Sequence, residues 1–177
     1  MTITVRTLAI LIVLFVAGIA GGITLLLRHG DARPAAVTPP TDVPTVLSAD
    51  ELRAVAESAP VYWAGVLPQR RLEVTTTTRG TFVRYLPASV RVGKREQALT
   101  IATYELEDAW NLAQRAARGA GARERRLADG RIAVWRTARP TSVYLAQPGS
   151  TVLVEVFDPD ARKARHLSLA GLIRPVS

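Results

Sequence analysis

The sequence predicts an α+β protein: one N-terminal transmembrane helix, then a small domain with a mainly antiparallel sheet and two main helices. Three observations lead there. Leu8 to Leu27 runs for twenty residues without a charge, and Thr24 is its only polar side chain. Farther on, short apolar-polar alternations are separated by turn pairs such as Arg79-Gly80, Asp129-Gly130 and Pro148-Gly149, the pattern of strands paired to their neighbours. Two stretches, opening near Ser48 and Glu105, space their apolar residues at helical intervals instead. Local strand pairs with a few helices make an α+β domain. The boundaries read as a tail at 1–7, a membrane helix at 8–27, a proline-rich linker at 28–46 and one globular domain at 47–177.

The membrane reading rests on length and on the lack of a polar face. Twenty helical residues rise about 30 Å, the thickness of a bilayer's hydrocarbon. Thirteen of the twenty are Leu, Ile, Val or Phe, and their insertion is favourable by roughly 4–8 kcal/mol. The apolar run is longer than that of a cleaved signal peptide, so an uncleaved anchor is expected. Gly18 and Gly22 form a GxxxG pair, and Ala17 with Gly21 a second small-residue pair. That spacing lets two membrane helices approach closely, which would make a weak homodimer.

Flanking charge leaves orientation near a tie, with Arg6 and the terminal amine facing Arg28 and Arg33. The linker breaks it. Pro34, Pro39, Pro40 and Pro44 favour an extended, semi-rigid spacer. A domain held off the membrane on such a stalk is expected outside the cytoplasm.

Within the domain, Ser48 and Glu51 form a capping box, and Leu47 packs on Leu52 as a staple. The helix they start presents Leu52, Val55, Ala56 and Ala59 and ends before Pro60. Strands are expected at 61–64, 71–78 and 81–86, then a polar loop at 87–97 and a strand at 98–104. In 71–78, Leu72, Val74 and Thr76 share one side while Arg71, Glu73 and Thr75 share the other. Glu105, Glu107 and Asp108 open the second helix and Arg115 and Arg118 close it, in the order the helix dipole favours. Trp110 falls on its apolar stripe as a core anchor. A hairpin at 123–136 follows, then strands at 142–146 and 151–157. Val152, Leu153, Val154 and Val156 are nearly continuous, which marks the last of these as central. Asp158 and Asp160 cap a short helical turn through Arg165, and a final apolar stretch ends near Ile173.

The chain has no cysteine, which excludes disulfides, thiolate metal sites and cysteine nucleophiles. His29 and His166 stand in no metal or triad spacing, and no phosphate-binding or nucleophile-elbow motif occurs. No catalytic residue, metal ligand or cofactor is therefore predicted. Glu155 stands out because it interrupts an apolar strand, where it needs either solvent or a cationic neighbour. With Glu105 it supplies the carboxylates for an alternative reading, an enzyme acting on an envelope polymer.

Charge suggests the partners. The net charge is +8, and from Ser48 onward 20 Lys and Arg stand against 13 Asp and Glu. Arg123, Arg125, Arg126, Arg131 and Arg136 cluster across one hairpin, and Arg162, Lys163 and Arg165 follow the Asp-Pro-Asp turn. Combined with Tyr62, Tyr85 and Tyr144, the hairpin arginines are the candidate anionic-surface site, for anionic lipid or an envelope polymer. A cytoplasmic domain could set the same arginines against nucleic-acid phosphates, but no nucleic-acid motif accompanies them.

The segments PVYWAG (Pro60 to Gly65), TFVRYLP (Thr81 to Pro87), RPTSVYLAQPG (Arg139 to Gly149) and VEVFDP (Val154 to Pro159) resemble those of uncharacterised, single-pass membrane-anchored proteins of high-GC Gram-positive bacteria. The similarity covers roughly Leu47 to Val176. It implies one folded module behind one membrane helix, and no activity.

Overall fold

The computed structural model describes residues 42–94 and 97–177. The apolar run Leu8 to Leu27, its Gly18–Gly22 pair and the linker up to residue 41 lie outside the described residues. Among the described residues, no helix is long and apolar enough to cross a membrane.

In chain order the elements are β1 (Thr45–Leu47), α1 (Ala49–Ala56), β2 (Tyr62–Trp63), β3 (Arg70–Thr77), β4 (Gly80–Pro87), β5 (Thr100–Glu105) and α2 (Ala109–Ala117). There follow β6 (Ala122–Arg126), β7 (Ile132–Arg136), β8 (Arg139–Ala146), β9 (Val152–Phe157), α3 (Ala161–Leu169) and β10 (Arg174–Pro175). Eight strands make one sheet in the order β1-β3-β4-β5-β9-β8-β7-β6, and β2 pairs with β10 in a small second sheet. Every pairing is antiparallel.

Because side chains alternate along a strand, cross-strand registers sort the sheet into two faces. On the first face, Val74, Val83, Ile101, Val156 and Val143 lie opposite one another from β3 to β8. All five are buried. α1 covers this face through Leu52 and Val55, α3 through Ala164 and Leu167, and the C-terminal segment through Ile173 and Val176. Burying a leucine or valine contributes about 1.5–3 kcal/mol, so these few contacts hold both helices on the sheet. α2 lies on the opposite face, where Ala109 and Ala113 meet Ile132, Val134, Ala146 and Leu153.

The capping box is present: Ser48 Oγ accepts the Glu51 N–H at 3.2 Å, and Glu51 Oε2 accepts the Ser48 N–H at 2.7 Å. That backbone donor, more than the serine hydroxyl, holds the Glu51 carboxyl below its ordinary range. Leu47 and Leu52 are both buried in the same core. α1 ends at Ala56 rather than Ala59, because Ser58 turns back onto the Val55 carbonyl through both its N–H and its hydroxyl.

The expectation of two main helices is corrected to three. α3 has nine residues where the sequence suggested a turn. Its stripe of Ala164, Leu167 and Ser168 is narrow and only one member is large, so the signal is weak. The sheet it covers makes it a helix. Asp160 caps it by accepting the Arg162 N–H at 2.8 Å. Trp110 is also corrected: it sits half-buried on the shoulder of α2, and the small Ala109 and Ala113 make the close approach. Thr45 and Val46, placed in the linker by sequence, pair with Val74 and Glu73 in β1.

Candidate functional site

The second face of the sheet carries a cross-strand row whose members come from seven strands. Glu124 on β6 lies opposite Val134 on β7, which lies opposite Tyr144 on β8. The row continues through Glu155 on β9, Ala102 on β5, Phe82 on β4 and Thr75 on β3. Its middle is the part with chemistry. Tyr144, Glu155, Phe82 and Thr75 are all half-buried, whereas Ala102 is covered.

Glu155 is held by two phenols. The Tyr104 hydroxyl donates to Glu155 Oε2 at 3.0 Å, and the Tyr144 hydroxyl donates to Oε1 at 3.1 Å. Tyr104 also meets Phe82 edge-on, with ring centroids 5.8 Å apart. It thus bridges the phenylalanine and the carboxylate. Burial pushes both phenols well above the ordinary tyrosine range, and the adjacent Glu155 charge raises them further. Arg139 and the Ser142 hydroxyl work the other way on Tyr144 and do not outweigh these effects. Both tyrosines therefore stay protonated donors at neutral pH. Among the described residues, no lysine or arginine lies at ion-pair distance from Glu155. The cationic neighbour that sequence reasoning looked for is replaced by two neutral donors.

A second carboxylate on this face is fully engaged. Glu73 is 1% exposed. It pairs with Arg84 and accepts the Gly93 N–H at 2.6 Å, while Arg84 also donates to the Lys94 carbonyl at 3.0 Å. The segment read as a polar loop therefore folds over the sheet and seals this glutamate beneath it. Alternation had put Glu73 on the polar side of β3, and nothing local in sequence marks it as buried.

The hairpin arginines do not form one surface. β6 is an edge strand, and alternation places Arg123 and Arg125 on the α1–α3 face and Arg126 on the α2 face. Arg136 is exposed, opposite Ala122 on that same α2 face. Its guanidinium lies over Gly119, where an added Cβ would come within 2.7 Å of it, beside the end of α2. A cation suits that end of a helix. Arg131 is 8% exposed. It pairs with Asp129 at 2.6 Å and donates to the Ile173 carbonyl at 2.9 Å, which ties the hairpin turn to the C-terminal segment. That pairing holds the Asp129 carboxyl below its usual range. Charged residues on an edge strand discourage pairing with another chain, which accounts for β6 without a ligand.

Other sequence candidates sit apart from this face. Tyr85 is 1% exposed; its hydroxyl accepts the Ala64 N–H at 2.7 Å and donates to the Gly65 carbonyl at 3.1 Å. It cannot join an exposed aromatic surface. Glu105 ends β5 and is exposed. Lys163 pairs with the largely buried Asp158 at 3.2 Å. A cavity of about 140 Å³ lies near Arg70 and Lys163, and one of about 100 Å³ near Thr76 and Glu105; ligand pockets commonly measure about 300–1,000 Å³. Among the described residues, no group of three or more His, Cys, Asp or Glu side chains could hold a metal ion.

No family model, no curated protein and no solved structure matches this chain.

Proposed function

We propose that this chain is a membrane-tethered module outside the cytoplasm that binds a component of the cell envelope with the part of its second sheet face left partly exposed between α2 and the Gly93 segment. One observation carries the reading. The row Tyr144–Glu155–Ala102–Phe82 keeps aromatic rings and a carboxylate half-exposed in mid-sheet, while two helices and the C-terminal segment cover the other face. Partly exposed aromatics around a few polar groups are the composition of a recognition surface. The uncharged run Leu8 to Leu27 and the prolines after it support the tether and its outward placement. The alternative enzyme would need a second group converging on Glu155. The neighbours described around it are two tyrosines held as neutral donors, which favours binding over proton transfer.

Two measurements test the reading on the full-length chain. Protease added to intact spheroplasts removes the domain, and carbonate extraction leaves the anchor in the membrane. A domain protected until lysis overturns the outward placement. Detergent-solubilised protein cosediments with isolated envelope polymer, and Phe82→Asp abolishes this while Arg123→Glu does not. The reverse order of effects transfers binding to the arginine edge.

A further inference from the structure

We propose that Glu155, Tyr104 and Tyr144 form a receptor for a primary ammonium group, of the kind a lysine side chain presents on a peptide-bearing polymer. The inference rests on the binding reading above and names the chemistry of that face.

Hydrogen-bond accounting carries it. An ionised carboxylate offers about four lone-pair positions and no donor. Two of those at Glu155 are filled, one on each oxygen, by the two phenols. Each phenol has spent its only proton in doing so, which leaves lone pairs on its own oxygen as acceptors. The Ser142 hydroxyl approaches that of Tyr144; among the described residues, no side chain but Glu155 hydrogen-bonds that of Tyr104. The three side chains therefore present acceptors only, around one negative charge. A neutral hydroxyl brings one donor and a primary amide two, and neither answers the charge. A primary ammonium brings three donors and the opposite charge, so it can bond the carboxylate and a phenol oxygen together. Half-burial strengthens the attraction over its value in open water.

The charge is also unanswered from within the domain. Each acidic side chain with low exposure elsewhere has a cation: Glu73 has Arg84, and Asp158 has Lys163. Glu155 has none at ion-pair distance among the described residues. Arg139 is the described cation whose charge is felt at Tyr144, and it forms no ion pair with the carboxylate. The ring of Tyr104, set edge-on to Phe82, adds aromatic surface beside the charge, which favours an organic cation over a hydrated metal ion.

Shape selects a polymer side chain over a lipid headgroup. α2 stands above the sheet at the Val134 end of the row, where Tyr104 and Tyr144 pack against its cluster, and the segment carrying Gly93 and Lys94 stands above it at the Glu73 corner. A flat bilayer meets those rims first, whereas a flexible side chain reaches the floor between them.

The test uses full-length protein in neutral phosphatidylcholine nanodiscs with ring-labelled tyrosine. The chain has four tyrosines, so each signal is assigned by one Tyr→Phe variant. The probe is lysine capped at both backbone ends, with its Nε-acetylated form as the neutral control. Titration through the millimolar range is expected to shift Tyr104 and Tyr144 with the amine alone and to leave Tyr85 in place. Glu155→Gln should weaken the amine by about tenfold, the loss of one partly buried charge-assisted contact; an unmoved Tyr85 signal reports that the fold survives. Tyr144→Phe, which keeps the charge and removes one acceptor, should weaken it less. Equal shifts with both probes, or full affinity in Glu155→Gln, overturn the ammonium assignment and leave the binding face standing. Shifts that appear only when phosphatidylethanolamine, whose headgroup carries a primary ammonium, replaces the phosphatidylcholine overturn the polymer source. No shift of Tyr104 or Tyr144 with any probe overturns the receptor; loss of cosedimentation with envelope polymer is what separately overturns the binding face.

Discussion

Tyr85→Phe separates a hydroxyl from the ring that carries it. The ring is buried in the main core, and phenylalanine keeps its apolar volume. Only the hydroxyl's two bonds disappear, the one accepted from Ala64 N–H and the one donated to the Gly65 carbonyl. A buried polar group left without a partner costs about 1–3 kcal/mol, so a loss near 2 kcal/mol is expected at neutral pH. With urea slopes of about 1–3 kcal/mol per molar, the midpoint falls by roughly 1 M. Alkali supplies an independent check. Burial pushes the Tyr85 phenol up to about 12, above its ordinary 10. A group whose folded pKa is raised contributes stability that is complete below the unfolded pKa and is lost as pH rises toward the folded one. The wild type should therefore lose about 3 kcal/mol at this residue between roughly pH 10 and 12, at 1.4 kcal/mol per unit. The variant lacks that loss, so the stability difference between the two closes across the same window. Urea titrations at stepped pH measure it, and the other tyrosines cancel in the comparison. A difference that stays constant from neutral pH to about 12 refutes a buried Tyr85 hydroxyl.

Three further outcomes are expected. Ser48→Ala lowers stability by about 0.5–2 kcal/mol, because it removes the side-chain half of the capping box; chemical unfolding measures this, and no change refutes the cap. Arg84→Met leaves Glu73 charged beneath the loop and costs roughly 3–5 kcal/mol, and adding Glu73→Met recovers part of the loss in a double-variant cycle. Arg125→Glu and Arg126→Glu, which point to opposite faces, should each weaken retention on anionic vesicles only slightly, and loss of all retention in either variant would restore the hairpin as a lipid site.

Legibility followed the reach of each interaction. The capping box spans Ser48 to Glu51, and the turns at Arg79-Gly80 and Asp129-Gly130 join strands that pair with their immediate neighbours. Such features depend on adjacent residues and could be read from them. The anchor expected at Leu8 to Leu27 likewise rests on sequence, since a run of apolar residues needs no partner to be recognised. The hairpin arginines show where composition misleads. They are neighbours in the chain, yet strand alternation divides Arg123 and Arg125 from Arg126, and the fold spends Arg131 on a carbonyl 42 residues away.

What tertiary structure alone decided depends on residues far apart in the chain. α3 exists because a sheet assembled from earlier strands receives Ala164 and Leu167. Glu73 is buried because a loop after the next strand folds back over it. Glu155 could be singled out in sequence as the charge that breaks an apolar strand, but its partners could not. Tyr104 lies 51 residues away on β5 and Tyr144 eleven residues away on β8. They meet only because antiparallel registers bring β5, β9 and β8 side by side, and a period-two pattern names the face of a residue without naming its neighbours across the sheet.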